Sequence, residues 1–523
     1  LKQLAYFGIG KAVGIFHQRN FQIRRDFAAP LGSCPARLVG EKLPENTMTR
    51  KNQIILLVTT TLCGALALTA VRAHDAPGVA TGFIAHILCS ETFGSGLDPD
   101  RVFSETMAAM PGTGLITWAV NYQVDHARKD VTVTLLGGGQ SHAVYREGLG
   151  CYVAHDDATV DASLPSAAGV AQRTLLPEIA GPSPVEPANP ELRLALERAF
   201  TEPDQPPLRH THAVVVLKDG RVVAERYAPG YGIDTRILGY SATKSMISAL
   251  TGILVRQGKL AVNAPAPVAA WQSPDDPHHA ITVDHLMRHT SGLAMGSSLN
   301  ASLSSAIAPV NQMKYIAHDM AAFAESAELE SVPGSAWNYH DGNFIILSRL
   351  IRDAAGGHAA DVLRFARSEL FGPLGMRNVT LEFDAAGTPE GSSQMLASAR
   401  DWARLGALYL NDGVVGGQRI LPEGWVNYSA APTANAWVGY GAGFWTNRGD
   451  SFGAKYRTSR GWPADSFYAS GTFGQYVVII PSERLVIARF GTSGNRYDIE
   501  GVSRLVADVI AATGGKGHLA AGN

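Results

Sequence analysis

The order of elements predicts an α+β fold. A five-stranded antiparallel sheet is covered by the first and last helices of its domain, a helical lobe is inserted between its strands, and a small separate α+β domain precedes it. Three observations carry this expectation. "AVVVLK" and "RVVAERY" are β-branched runs joined by Asp219-Gly220, a strong two-residue hairpin signal. Far downstream, "SFYASGT", "QYVVII" and "LVIARFG" follow one another closely, the last two joined through "PSER". An amphipathic helix, "ELRLALERAF", precedes the first pair; "VSRLVADVIAA" follows the last strand, with Val502, Leu505, Val506, Val509 and Ile510 on one face. A long, mainly helical region from Ser241 to about Asn435 separates the two groups of strands. The seam between sheet and lobe is where a cleft belongs.

Taken from the N-terminus, 523 residues are enough for two domains with extensions. The chain is 46% hydrophobic and 17% charged, with a net charge of −2, so there is no electrostatic reason to expect a nucleic acid or a strongly acidic partner. Residues 1–47 are basic and aperiodic, and we read them as an overlong gene-model extension. From Met48, "MTRKNQ" is a short basic segment, "IILLVTTTLCGALALTAV" an apolar run, and "VRA" a plausible cleavage site after Ala73. Residues 48–73 therefore read as a signal peptide, and the mature protein as periplasmic or secreted, touching the membrane only through that segment. An uncleaved anchor is the alternative, since the run is just long enough to span. Removal of the segment leaves Cys89 and Cys151, which in an exported chain suggest one disulfide; two buried free thiols are the other option.

Residues 82–155 read as a small N-terminal domain. "GFIAHILC" is helical in its spacing, "LITWAVNYQVD" and "DVTVTLL" alternate as half-buried strands, and "SHAVYREGLGCYVAH" follows. No catalytic constellation is visible there, so its expected role is structural or docking. Residues 156–190, rich in Ala, Pro and Ser, read as a linker, and residues 191–515 as the main domain.

The chemistry of the main domain starts at "GYSATKSM". Ser241 opens a helix whose stripe is Met246, Leu250, Ile253 and Leu254, which puts Lys244 one turn on and on the same side. A serine hydroxyl is a poor nucleophile until a neighbouring base takes its proton. The helix N-terminus also favours a developing oxyanion and disfavours a protonated lysine beside it. For an isolated S-x-x-K a plain serine cap followed by a solvated lysine is the usual outcome, so this motif alone is weak. Its companions shift the balance: "PGSAWNYHDGNFIILSRLI" sets Tyr339 in a polar loop ahead of an apolar helix, with Asp341 and Asn343 at alternate positions. "YASGTFGQY" places Ala469, Ser470 and Gly471 on a strand that a substrate backbone could approach closely. "ITVDHLMRHTSGL" adds a polar loop after a helix. Trp437, Tyr440 and Trp445 are candidates for an aromatic wall beside the substrate, or for core.

Two rival motifs are weaker. "GDSFG" (Gly449 to Gly453) fits the nucleophile elbow of α/β-hydrolases, but the only later histidine is His518, in a Gly/Ala-rich tail, and no apolar helix is expected after the motif. His278-His279 and the pair His210 and His212 lack a metal-site context and suit a solvated loop and a strand edge. No metal and no cofactor is expected.

In combination and in order, these motifs resemble the β-lactamase and penicillin-binding-protein-like serine hydrolases, with S-x-x-K on a helix, Y-x-N or Y-x-D in a loop and K-T-G or H-x-G on a strand. The resemblance runs from about Ala213 to Ala511 and includes "HTSGL", "SARDWARLGALYLNDGVVGGQRIL" and "YGAGFW". Within the family, "ERYAPG…GYSATKSMISALTGILVRQGKL" and "ASGTFGQYVVIIP" look closest to 6-aminohexanoate-dimer hydrolases and related esterases. The resemblance implies that Ser241 is acylated, Lys244 takes its proton, and Tyr339 shuttles protons to the leaving group. Backbone N–H groups of Ser241 and Thr472 would form the oxyanion hole, and Asp341, in the family's Asn position, would orient substrate or Lys244. Asn343, Ala469, Ser470, Gly471 and Trp445 would border the substrate. Ala469 stands where many members carry Lys or His, which leaves no cation there for a substrate carboxylate. The substrate expected is a small molecule, short peptide or oligoamide with an ester or amide bond. A D-amino-acid peptidase, a β-lactamase and a non-catalytic binder of cell-wall fragments are the alternatives, and no oligomeric state is implied.

Overall fold

A computed structural model describes residues 74–136, 138–155, 174–298, 307–494 and 496–514. The expected extension over 1–47, the signal segment over 48–73 and the first part of the linker lie outside these residues. Among the described residues no helix is long and apolar enough to cross a membrane.

The central sheet is antiparallel and runs in the order Trp445–Thr446, Phe467–Gly471, Gln475–Ile480, Leu485–Gly491, Thr211–Lys218, Arg221–Tyr227. It therefore has six strands where the sequence predicts five. The extra edge strand, Trp445–Thr446, is too short to show a period of two and exists through its pairing with Tyr468 and Phe467. The hairpin turns at Asp219 and Gly220, both with positive φ, as a tight two-residue turn requires. Both faces of the sheet are buried, which explains why "AVVVLK" is continuously apolar rather than alternating. Val214 and Val216 pack under helices Pro190–Phe200 and Ile499–Ala512, with Leu192, Leu196, Val502 and Val506. Ala213, Val215 and Leu217 face the opposite core with Met246, Leu250 and Trp402, contributed by helices Thr243–Arg256 and Ala399–Leu410.

The inserted region is not helical throughout. Arg236–Leu238, Met395–Ser398 and Val379–Leu381 form a three-stranded antiparallel sheet with Met395–Ser398 in the middle. Helices Val283–Met287, Pro309–Tyr315, Met320–Glu325 and Gly342–Ala355 make up much of the lobe. Of the stretch expected as a linker, the described part is laid on the main domain: Leu176 and Ile179 are buried, and the Ile179 carbonyl accepts from the Val222 N–H.

The N-terminal segment has a helix over 74–89, a second at Pro99–Ala109 and a four-stranded meander, Val120–Asp125, Asp130–Leu135, Gln140–Arg146 and Gly150–Ala154. Its own core includes Ile84, Leu88, Val131, Val133 and Ala143. Cys89 and Cys151 are bonded to each other across this core. The segment shares a buried polar boundary with the main domain. Glu382, fully buried, accepts from Ser90 Oγ at 2.8 Å and the Cys151 N–H at 2.8 Å, and lies 3.1 Å from His86 Nε2. Glu105 Oε2 lies 2.9 Å from His212 Nε2, so His212 is a buried joint between the two parts and not the strand edge expected.

Candidate active site

Ser241 sits in a single 3₁₀ turn, Tyr240–Ala242, that leads into helix Thr243–Arg256. Its hydroxyl does not cap the helix, whose N-cap position is Ala242. It accepts instead from Lys244 Nζ at 3.0 Å. The turn is held under strain: Tyr240 has φ +46°, a region unfavourable for a side chain of this size. Such backbone persists where the surroundings over-determine it, and here it sets the entry of the chain into the turn that carries Ser241.

Lys244 is 1% exposed and donates also to Asp341 Oδ1 at 2.6 Å and to the Ser392 carbonyl at 2.8 Å. Burial pushes its ammonium pKa down, the Asp341 carboxylate opposes this, and the net direction is downward. For Asp341, burial favours the neutral acid, but Lys244 and a second lysine, Lys314, overcome it and hold the carboxyl below its ordinary range. Lys314 Nζ lies 3.4 Å from Asp341 Oδ2. One carboxylate is thus shared by two buried lysines.

Tyr339 is buried, with its ring 4.9 Å from Lys244 Nζ, and Ser241 is among the groups that act on its phenol. Its ring packs against His289 at 4.3 Å, Trp445 at 5.4 Å and Tyr440 at 5.5 Å. Burial, then the nearby Asp341 charge, raises the phenol pKa. His289 is held neutral, its pKa pushed far down by burial and then by Lys244. An uncharged imidazole under Tyr339 supports the ring without adding a third cation.

The strand Phe467–Gly471 ends against Ser241. A Cβ on Gly471 would fall 2.1 Å from the Gly239 carbonyl oxygen and 3.1 Å from the Ser241 nitrogen, so only glycine permits this approach. Gly239 is confined likewise, since its Cβ would lie 2.2 Å from the Trp402 ring. Thr472, the next residue, lines the same cavity as Ser241, Asp341 and Lys314.

Several residues expected to border the substrate do not line the cavity at Ser241. Asn343 is fully buried, and its Nδ2 lies 3.1 Å from His289 Nδ1 and 3.2 Å from His340 Nε2; it ties the Tyr339 loop to the His289 loop and is not part of the wall of the Ser241 cavity. Ala469 is 2% exposed and belongs to the core, while Ser470 points to the other face toward Tyr476, as the period of a strand demands. Neither lines the cavity. Trp445 buttresses Tyr339 rather than bordering the cavity. Trp437 is 58% exposed and leaves the aromatic cluster, where Trp337 stands in its place. A short helix, Phe452–Thr458, does follow "GDSFG", but it is polar, and Ser451 caps it by accepting from the Ala454 N–H.

Sequence reasoning missed Lys314, His289 and the Ser392 carbonyl. Their positions carry no local signal: "MKY" and "GSSQ" resemble any helix end and loop. The "HTSGL" phrase was the one clue to His289. Reasoning from Ala469 also left the site without a cation beyond Lys244, whereas Lys314 stands in the cavity wall. Among the described residues, no group of three or more His, Cys, Asp or Glu could hold a metal ion.

A family model described as Beta-lactamase matches residues 196–507. Over 265 residues the chain is 26% identical to 6-aminohexanoate-dimer hydrolase of Paenarthrobacter ureafaciens, a match covering 46% of this chain and 63% of that relative. The chain therefore spans somewhat under two thirds of that relative's length. Among solved structures, a family VIII carboxylesterase is 17% identical with a TM-score of 0.49, covering 64% of this chain and 100% of the other. A penicillin-binding protein homologue from Caulobacter crescentus is also 17% identical, with a TM-score of 0.48 and the same coverage.

Proposed function

Because the chain belongs to the beta-lactamase family of serine hydrolases, we propose that it opens an ester or amide bond through an acyl-enzyme on Ser241. One observation carries the reading: a serine held by a strained turn accepts from a buried lysine at 3.0 Å, and that lysine lies 4.9 Å from the ring of a buried tyrosine. In the proposed cycle Ser241 Oγ adds to the substrate carbonyl while Lys244, in its neutral form, takes the hydroxyl proton. The oxyanion is met by the backbone N–H groups of Ser241 and Thr472, a preorganised term of several kcal/mol. Tyr339 passes a proton to the departing alkoxide or amine. Water then attacks the acyl-serine, giving up its proton through Tyr339 and Lys244, and the acid is released.

The lowered Lys244 pKa supports the base role, since a neutral amine is then populated nearer physiological pH. Asp341 keeps Lys244 pointed at Ser241, and Lys314 limits how strongly that carboxylate stabilises the ammonium. The likeness to a 6-aminohexanoate-dimer hydrolase supports amides beside esters as substrates. A non-catalytic binder is disfavoured, because binding alone gives no reason to bury two lysines around one carboxylate next to a strained serine. Export belongs to the same proposal, and the Cys89–Cys151 bond supports it.

A fluorophosphonate probe tests the reading. It should label Ser241, and Ser241→Ala should abolish labelling and turnover. Lys244→Ala and Tyr339→Phe should each lose at least ~100-fold in rate. Equal labelling of the Ser241→Ala protein would overturn the assignment.

A further inference from the structure

The cavity at Ser241 is not built by the main domain alone. It measures about 120 Å³, and its walls divide by origin. The polar residues Ser241, Asp341, Lys314 and Thr472 come from the hydrolase fold. The N-terminal segment supplies mostly apolar side chains, among them Phe83, Ile84, Met107, Met110, Ile116 and Leu135, together with Thr81 and Thr113, whose hydroxyls are taken up by backbone carbonyls within the segment. These positions lie outside residues 196–507, the stretch that matches the family, so nothing in the family assigns them a role.

This apolar wall is fixed in place. The Cys89–Cys151 bond closes the end of helix 74–89 onto the meander, and Glu382 grips both His86 and Ser90 from the main domain. Phe83 packs edge-on against Tyr315, another cavity residue, with ring centres 5.7 Å apart. A preformed wall of this kind binds without first having to be ordered. Ser241 and Thr472 line the cavity and Tyr339, which serves the leaving group in the proposed cycle, does not. The acyl group carried by Ser241 in that cycle would therefore be the part of the substrate beside this wall.

We propose that the N-terminal segment is a built-in acyl-binding wall, and that the substrate carries an uncharged aliphatic acyl chain of several carbons. The inference rests on the acyl-enzyme reading of Ser241 and narrows its substrate class. Burying a methylene is worth about fourfold in an equilibrium constant, so a few buried methylenes give a large preference.

The test measures kcat/KM for p-nitrophenyl acetate, butanoate and octanoate on the full-length enzyme and on Met110→Lys and Ile116→Asn. Both substituted residues are half-buried. The octanoate-to-acetate ratio, taken within one preparation so that any loss of folded protein cancels, should be at least tenfold in the wild type. It should fall at least tenfold in each variant. A wild-type ratio near or below one, or a ratio unmoved in both variants, overturns the acyl-binding wall while leaving the hydrolase reading intact. No turnover of any ester, with Ser241 unlabelled by the fluorophosphonate, removes the hydrolase reading and this inference with it.

Discussion

Replacing Gly471 by alanine adds one methyl group at the tightest point of the site. Its carbon would lie 2.1 Å from the Gly239 carbonyl oxygen, against the 3.0 Å below which such carbons are essentially never found, so about 0.9 Å of movement is forced. The atoms it meets are the Gly239 oxygen, Tyr240 Cβ and the Ser241 nitrogen, none of them the far end of a flexible side chain that could swing away. Gly471 is not in the left-handed region, so alanine suffers no backbone penalty and the effect is contact alone. Either the strand end or the nucleophile turn must retreat. Oxyanion donors act within a few tenths of an ångström of their ideal distance, and misplacement by about 1 Å lowers rate about 100-fold. Overpacking of this kind destabilises by about 1–3 kcal/mol. The expected result is kcat/KM lower by about 100-fold, mainly through kcat, fluorophosphonate labelling slowed in parallel, and a lowered Tm. Retention of more than about a third of wild-type kcat/KM with an unchanged Tm would refute the reasoning, because it would mean that the Gly471–Ser241 approach carries no catalytic geometry.

Three further outcomes are expected. Asp341→Asn removes the carboxylate shared by Lys244 and Lys314 and should destabilise by about 3–5 kcal/mol near neutral pH, measured by denaturant midpoint. Since the folded Asp341 pKa lies below its unfolded value, the wild-type advantage exists above the unfolded pKa and fades as pH falls below about 4; a difference that grows on acidification contradicts the reading. The pH profile of kcat/KM should rise through the lowered pKa of Lys244, which must be neutral to act. Lys314→Met removes a positive neighbour that lowers that pKa, so the acid limb should move to higher pH, and a shift to lower pH counts against the charge arrangement. Cys89→Ala with Cys151→Ala opens a loop of sequence separation 62 and should lower stability by about 4 kcal/mol on the chain-entropy account, with the N-terminal segment losing hydrogen-exchange protection first.

What the sequence by itself determined is the local geometry of the Ser241–Lys244 pair and the layout of the sheet. Ser241 and Lys244 meet because residues three apart along a helical turn share a face, which the spacing alone indicates, while the strained Tyr240 backbone that leads into that turn is held by the tertiary structure. The strands were legible because β-branched runs and an Asp-Gly turn specify hairpins locally, and the helix Ile499–Ala512 because its apolar stripe repeats at helical spacing. The edge strand Trp445–Thr446 was not, since two residues carry no period. The side chains that surround Ser241 were decided only in three dimensions. Lys244 finds Asp341 and the Ser392 carbonyl across sequence separations of 97 and 148 residues, and nothing near Lys314 marks it as a partner of the same carboxylate. The alternate spacing of Asp341 and Asn343 suggested two substrate contacts. Once helix Gly342–Ala355 forms, that spacing instead turns Asn343 into the core toward His289. The N-terminal segment read as a bystander because its apolar residues look like ordinary core. Only the fold shows that part of that surface faces Ser241, since burial against oneself and burial around a substrate leave the same pattern in a sequence.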